Sequence, residues 1–168
     1  KLASNENPRG ASQRVQDALL QVLPELARYP DGSAYLLKNR LAEFLGVAAE
    51  CLTIGNGSND VLELVGRVFL HPGNESIVSE HSFVVYPLVT KAIGATLTVV
   101  PARDYAQDLE ATLAAVGEQT RLIFIANPNN PTGTWVRKGQ LVNFMDSLSG
   151  DVLVVLDEAY FEYVDEPD

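Results

Sequence analysis

Four short stretches hold residue types that could do chemistry together. Gly55-Asn56-Gly57-Ser58-Asn59-Asp60 combines glycines, amides and a hydroxyl at a helix start, where free backbone N–H groups can hold a phosphate. Glu80-His81-Ser82-Phe83 offers an imidazole and an aromatic face. Asn127-Pro128-Asn129-Asn130-Pro131-Thr132-Gly133 confines two asparagines between two prolines. Asp157-Glu158-Ala159-Tyr160 ends an apolar run in a carboxylate, which is costly to bury without a charged or hydrogen-bonding partner. A phosphate nest, an aromatic face, an amide and a carboxylate together suit a flat, phosphorylated, nitrogen-bearing ring.

Each stretch also has a plainer reading. The Gly-Asn-Gly-Ser run could be a tight turn with a serine cap, and it lacks the three spaced glycines of a dinucleotide site. Phe83 could be core, the Asn-Asn-Pro-Thr-Gly run simple turn chemistry, and Asp157 a cap. His71, ahead of Pro72-Gly73, reads as a surface-loop residue and His81 as structural. Neither histidine stands at a metal-ligand spacing, and the single cysteine, Cys51, permits no internal disulfide or cysteine metal cluster.

The elements that must position these residues follow from periodicity. Residues 1–10 are polar and turn-rich. Val15, Leu19, Val22, Leu23 and Leu26 fall at helical spacing behind a Ser12 N-cap, and a second helix is predicted from Ser33 to Leu45 with Gly46 closing it. Strand and helix then alternate. Strands are predicted at Cys51–Ile54, Ser76–Ser79, Thr96–Val100, Leu122–Ala126 and Val152–Leu156. Helices are predicted behind Ser58, then at Phe83–Ile93, Leu109–Val116 and Gly139–Leu148. Continuous apolar strands between helices mean an α/β fold, a mostly parallel sheet with helices on both faces. Ligands of such sheets bind beyond the carboxyl ends of the strands, where all four stretches lie. Residues 1–45 read as an arm with helices, and 46–168 as the larger domain.

Composition narrows the class. The 168 residues carry 12 basic and 22 acidic side chains, a net charge of −10, with 46% hydrophobic residues. That balance argues against a nucleic-acid or anionic-membrane surface. No apolar run approaches the length of a membrane span, and the opening residues have no signal-peptide core, so the expectation is a soluble, cytoplasmic chain. The missing initiator Met, and an end that follows a strand signal with no closing element, suggest part of a longer, truncated chain.

Gly57-Ser58-Asn59-Asp60, Pro128-Asn129-Asn130-Pro131-Thr132-Gly133 and Asp157-Glu158-Ala159-Tyr160, in this order and spacing, resemble the class I/II aminotransferases, pyridoxal-phosphate enzymes of fold type I. Within them, Leu2-Ala3-Ser4-Asn5-Glu6-Asn7-Pro8 and Arg28-Tyr29-Pro30 are most similar to the histidinol-phosphate branch. The resemblance implies the large domain of that fold and pyridoxal 5'-phosphate as cofactor. It further implies a ping-pong exchange of an amino group between histidinol phosphate and 2-oxoglutarate in a homodimer. It assigns the cofactor phosphate to Gly57, Ser58 and Asn59, and the ring face to Phe83. Asn130 and Tyr160 go to the ring's O3′, Asp157 to the protonated pyridine nitrogen, Tyr29 to the phosphate of the neighbouring subunit, and Asn5 to the substrate's vicinity. The family's Schiff-base lysine lies downstream of the Asp-Glu-Ala-Tyr strand, and none of Lys1, Lys38, Lys91 and Lys138 matches it. The implied catalytic residues present are therefore Asp157, Tyr160 and Asn130, and the chain alone is expected to be inactive. Rival readings are an aromatic-amino-acid aminotransferase or a phosphothreonine-type decarboxylase on the same scaffold, and a non-catalytic phosphate- or nucleotide-binding module.

Overall fold

The computed structural model describes residues 4–165. The chain groups into two compact units, one ending at Ile54 and one beginning at Gly55, so residues 46–54 go with the arm and first helices.

In the first unit, α1 (Gln13–Val22) starts where its sequence signals place it, and Ser12 Oγ accepts from the Val15 N–H at 3.4 Å. It ends earlier than periodicity alone predicts. Pro24 cannot continue an α-helix, and Leu23–Glu25 tightens into a 3-10 turn. α2 (Tyr35–Leu45) is closed by Gly46 in the left-handed conformation (φ 69°). Its start belongs to Asp31. One carboxylate oxygen accepts from Ser33 N–H (2.9 Å) and Ser33 Oγ (2.7 Å), the other from Tyr35 N–H (2.9 Å). The Ser33 hydroxyl, then the two amides, hold the Asp31 carboxyl below its ordinary pKa. The strand expected at Cys51–Ile54 is absent. Ala49–Cys51 is a 3-10 turn, after which Leu52 is extended (φ −104°, ψ 130°) but joins no ladder. No described residue of this unit is buried.

The second unit runs α3 (Gly57–Phe69), β1 (Glu75–Ser79), α4 (Val85–Ile93), β2 (Thr96–Val100), α5 (Leu109–Ala114), β3 (Thr120–Ala126), α6 (Lys138–Asp146) and β4 (Leu153–Asp157). The four strands pair in parallel in the order β2-β1-β3-β4. β3 shows why a continuous apolar run was needed. Leu122, Phe124 and Ala126 join a core with Leu62 of α3, Val78 of β1 and Tyr86 of α4. Ile123 and Ile125 face the opposite way, into a core with Ile77, Val100 and Phe144 of α6. Both faces are thus covered, as a buried parallel sheet requires.

Two details fix the sheet. At its amino end, Glu75 accepts from Thr98 Oγ1 and from Thr120 Oγ1, each at 2.6 Å, tying β1 to both neighbours. The register steps there from Glu75↔Thr120 to Ser76↔Leu122, with Arg121 as the extra residue. On one face, Gly66 lets α3 approach α4. A Cβ at this position would lie 2.5 Å from Val89 Cγ1 and 2.9 Å from Ile93 Cδ1.

Candidate active site

The strand order reverses between β1 and β3: β1 leads outward to β2, and β3 leads the other way to β4. Ligands of open α/β sheets sit beyond the carboxyl ends of the strands at such a reversal. A cavity of about 50 Å³ lies there, lined by Ser58, Phe83, Ala126, Pro128, Asn130, Asp157, Ala159 and Tyr160. All four sequence stretches contribute to it. The enclosed space is less than a substituted pyridine fills, so such a ring would rest against this surface.

The α3 end forms one wall. Gly57 begins the helix at φ +74°, a conformation that favours glycine, and Ser58 follows on the cavity wall. Ser58 is not the helix cap. Asp60 folds back instead, its Oδ2 accepting from the Asn56 backbone N–H (2.9 Å) and Nδ2 (3.1 Å). That leaves the Ser58 hydroxyl outside the capping network. Gly55 must be glycine here, since a Cβ would come within 2.7 Å of Asp60 Cβ. Asn59 lines a separate groove of about 590 Å³ between α3 and α4, whose polar members are Asn59, Glu63 and Arg67. The Arg67 guanidinium is engaged by Glu63 at 2.7 Å.

The loop after β3 is built by its own amides. It contains two cis peptide bonds, Asn127–Pro128 and Asn130–Pro131. The Asn127 side chain accepts from Val136 N–H (2.7 Å) and donates to Val136 C=O (3.0 Å), closing the base of the loop. Buried Asn129 donates to Thr132 Oγ1 (2.7 Å) and to the His81 carbonyl (2.8 Å), joining this loop to the one after β1. The two asparagines therefore divide their work: Asn129 is scaffold, and Asn130 lines the cavity. His81 acts through its backbone, while its ring stacks on Tyr105 (centroids 5.4 Å apart).

Phe83 sits between core and cavity. It packs against the core below and lines the cavity above. Asp157 is the last residue of β4, one place later than the predicted strand end. Its Oδ1 accepts from Ala159 N–H at 3.2 Å and its Oδ2 from the Tyr86 hydroxyl at 2.8 Å. Tyr86 is the site residue that sequence reasoning missed. Fully buried on α4, it stacks on Phe124 (4.8 Å, 6°) and meets Phe83 edge-on (5.7 Å, 84°). Burial first, then the hydrogen bond and negative charge of Asp157, raise its pKa far above the ordinary phenol value. The only sequence signal for it was a tyrosine on the inward face of a predicted helix.

Asn5 and Tyr29 belong to the first unit and are exposed, Tyr29 completely. Lys91 in α4 and Lys138 at the start of α6 do not line the cavity, and Lys38 lies in α2; Lys1 falls outside the described residues. Among the described residues no cluster of three or more His, Cys, Asp or Glu could hold a metal, and no helix is long and apolar enough to cross a membrane.

A parallel sheet with this reversal, and with Ser58, Phe83, Asn130 and Asp157 at its carboxyl edge, matches the pyridoxal-phosphate-dependent transferase fold. The fold superposes on histidinol-phosphate aminotransferase from Sinorhizobium meliloti, solved in complex with pyridoxal-5'-phosphate. That match has a TM-score of 0.90 at 33% identity, over 95% of this chain and 44% of that one. It also superposes on a tetra mutant of Thermus thermophilus aspartate aminotransferase, with a TM-score of 0.82 at 26% identity, over 94% and 47%. The family model for aminotransferase class I and II matches residues 1–168, and the chain belongs to that family. Among curated relatives, histidinol-phosphate aminotransferase 2 of Pseudomonas fluorescens strain Pf-5 is 54% identical over 168 residues. The chain spans 45% of that relative's length.

Proposed function

We propose that this chain is the cofactor-binding segment of a pyridoxal-phosphate-dependent histidinol-phosphate aminotransferase. In that reading it works with downstream sequence that supplies the Schiff-base lysine and the substrate-gripping arginine. The observation that carries the reading is the convergence of Ser58, Phe83, Asn130, Asp157 and Tyr160 on one cavity at the strand-order reversal. The choice of histidinol phosphate rests on the 54% identity to enzymes of that name.

The donor set fits the cofactor. A carboxylate held in the cavity wall suits a ring nitrogen that must stay protonated, and the first turn of α3 suits a phosphate. When bound, pyridoxal phosphate supplies an electron sink for the amino group's carbon. The chain's own residues do the rest. Gly57, Ser58 and Asn59 anchor the phosphate; Asn59 does so from a helix turn whose side chain borders the neighbouring groove. Phe83 presses on one ring face. Asn130 and Tyr160 would donate hydrogen bonds to O3′ and favour its anionic form, and Asp157 would hold the proton on the ring nitrogen.

In the same reading the enzyme is a cytoplasmic homodimer whose Tyr29 reaches the partner's phosphate. The support is that Tyr29 is fully exposed on this chain, which leaves its hydroxyl open to another subunit. Asn5 would lie near the substrate, an amino donor paired with a 2-oxo acid.

The test is made on a full-length protein carrying this segment. With pyridoxal phosphate it should show a visible absorption band and transfer nitrogen from histidinol phosphate to 2-oxoglutarate. Phenylalanine should be a poorer donor, and phosphothreonine should not be decarboxylated. Absence of the band would return the site to a plain phosphate-binding module.

A further inference from the structure

We propose that Tyr86 is a positioning residue that sets the ring-binding site from beneath, aiming the Asp157 carboxylate through its hydroxyl while bracing Phe83 with its ring edge. This rests on the reading of Asp157 as the partner of the cofactor's ring nitrogen.

Any buried tyrosine needs an acceptor, so the bond alone would be unremarkable. The placement says more. Tyr86 is 0% exposed and 71 residues away in sequence from Asp157, yet its hydroxyl meets the carboxylate that lines the cavity, at 2.8 Å. The other carboxylate oxygen is taken by Ala159 N–H at 3.2 Å, so both ends of the group are assigned and its rotation is fixed. The same ring touches Phe83, which gives the cavity its aromatic face. Both groups proposed to meet the pyridine ring, one on its face and one at its edge, are therefore held by a single side chain.

Tyr86 is itself held by packing and by its own turn. Its ring lies flat on Phe124 of the central strand β3, and its backbone carbonyl accepts from Thr90 Oγ1 (2.9 Å). Thr90 Oγ1 in turn pairs with Ser76 Oγ of β1 at 2.7 Å, locking this turn of α4 to the sheet. Burial, then the hydrogen bond and negative charge of Asp157, push the phenol's pKa up and so favour its protonated, donating form. A carboxylate freed from that donor could swing off the line to a ring nitrogen. Electrostatic contacts need such pre-set orientation.

The experiment compares two cofactors on a full-length protein carrying this segment: pyridoxal phosphate, and its carbocyclic analogue with CH in place of the ring nitrogen. Tyr86→Phe keeps the ring and its packing and removes only the donor. Affinity for pyridoxal phosphate should fall about tenfold, the lower end for losing a hydrogen bond to a charged group, while affinity for the analogue stays within about twofold. In an Asp157→Asn background the same substitution should add nothing. Equal losses for both cofactors would overturn the proposal and leave Tyr86 as ordinary core. A wild-type protein that binds both cofactors equally well would instead overturn the Asp157 reading on which this depends. If Tyr86→Phe does not fold, the wild-type protein still decides. Its buried Tyr86 hydroxyl proton, seen by NMR, should shift when pyridoxal phosphate binds and hold its position with the analogue; equal shifts refute the proposal.

Discussion

Replacing Gly66 by alanine tests how tightly α3 must sit on α4. In an open helix interior the change would stabilise by about 1 kcal/mol, because glycine loses more backbone freedom on folding. Here the new Cβ would stand 2.5 Å from Val89 Cγ1, against the ~3.5–4.0 Å of ordinary carbon contact, so about 1 Å must be found. Val89 is buried and β-branched, with essentially one rotamer available in a helix, and it cannot step aside. Ile93 Cδ1, at 2.9 Å, is a chain end and can. The helices must therefore separate, at the ~1–3 kcal/mol typical of overpacking. Subtracting the helix gain leaves a net loss of about 1 kcal/mol, a fall in Tm of roughly 4 °C. Gly139→Ala in α6 is the control, because no atom lies within 4 Å of its added Cβ, and it should raise Tm. Thermal unfolding followed by circular dichroism gives both values. Adding Val89→Ala to Gly66→Ala should recover part of the helix gain. If Gly66→Ala raises Tm as much as Gly139→Ala does, the close approach of the helices is not what glycine serves. Ser58 rides on α3 and Tyr86 on α4, so the same separation should also weaken cofactor binding.

Asp157→Asn in a full-length protein should lower kcat about 100-fold or more while cofactor affinity falls far less, read by steady-state kinetics and equilibrium titration. Tyr29→Phe should weaken pyridoxal phosphate binding by about 1.5–3 kcal/mol and leave the Tm of the cofactor-free protein unchanged; a drop in that Tm with unaltered affinity would refute the cross-subunit role. The start of α2 should be acid-sensitive. Because hydrogen bonds lower the Asp31 pKa in the folded state, their stabilisation is present above the carboxyl's ordinary pKa and is lost as pH falls through the lowered one. Amide protection factors at Ser33 and Tyr35, taken against intrinsic exchange at each pH, should fall in that acid window, and in Asp31→Ala they should already be low at neutral pH.

Most of the sheet was legible because its strands are short β-branched or apolar runs, with β3 apolar on both faces. β2 was read to the residue, and the other strands to within two residues at each end. Cys51–Ile54 shows where the local pattern ends. Leu52 and Ile54 are half-buried and Thr53 is exposed, the alternation of a strand, yet pairing needs a partner that four residues cannot specify. The cap of α3 was misplaced for a related reason. Ser58 has the right side chain, but Asp60 reaches back to Asn56, and only the folded turn reveals which oxygen arrives first. The cavity wall was readable from the residues that follow strands. Tyr86 was not, because its meaning depends on a carboxylate brought to it by the sheet across 71 positions.

The Glu75 clamp gives the sheet two ends with different obligations. Two threonine hydroxyls bind one carboxylate at the amino edge, so the alignment of β1, β2 and β3 is settled there. The carboxyl edge, where Phe83, Asn130 and Asp157 gather, inherits that alignment without having to create it. Loops at that edge can accordingly be exchanged for others of different length or chemistry while the strands stay in step. For anyone grafting new substrate loops onto this scaffold, Glu75, Thr98 and Thr120 are the positions to leave untouched.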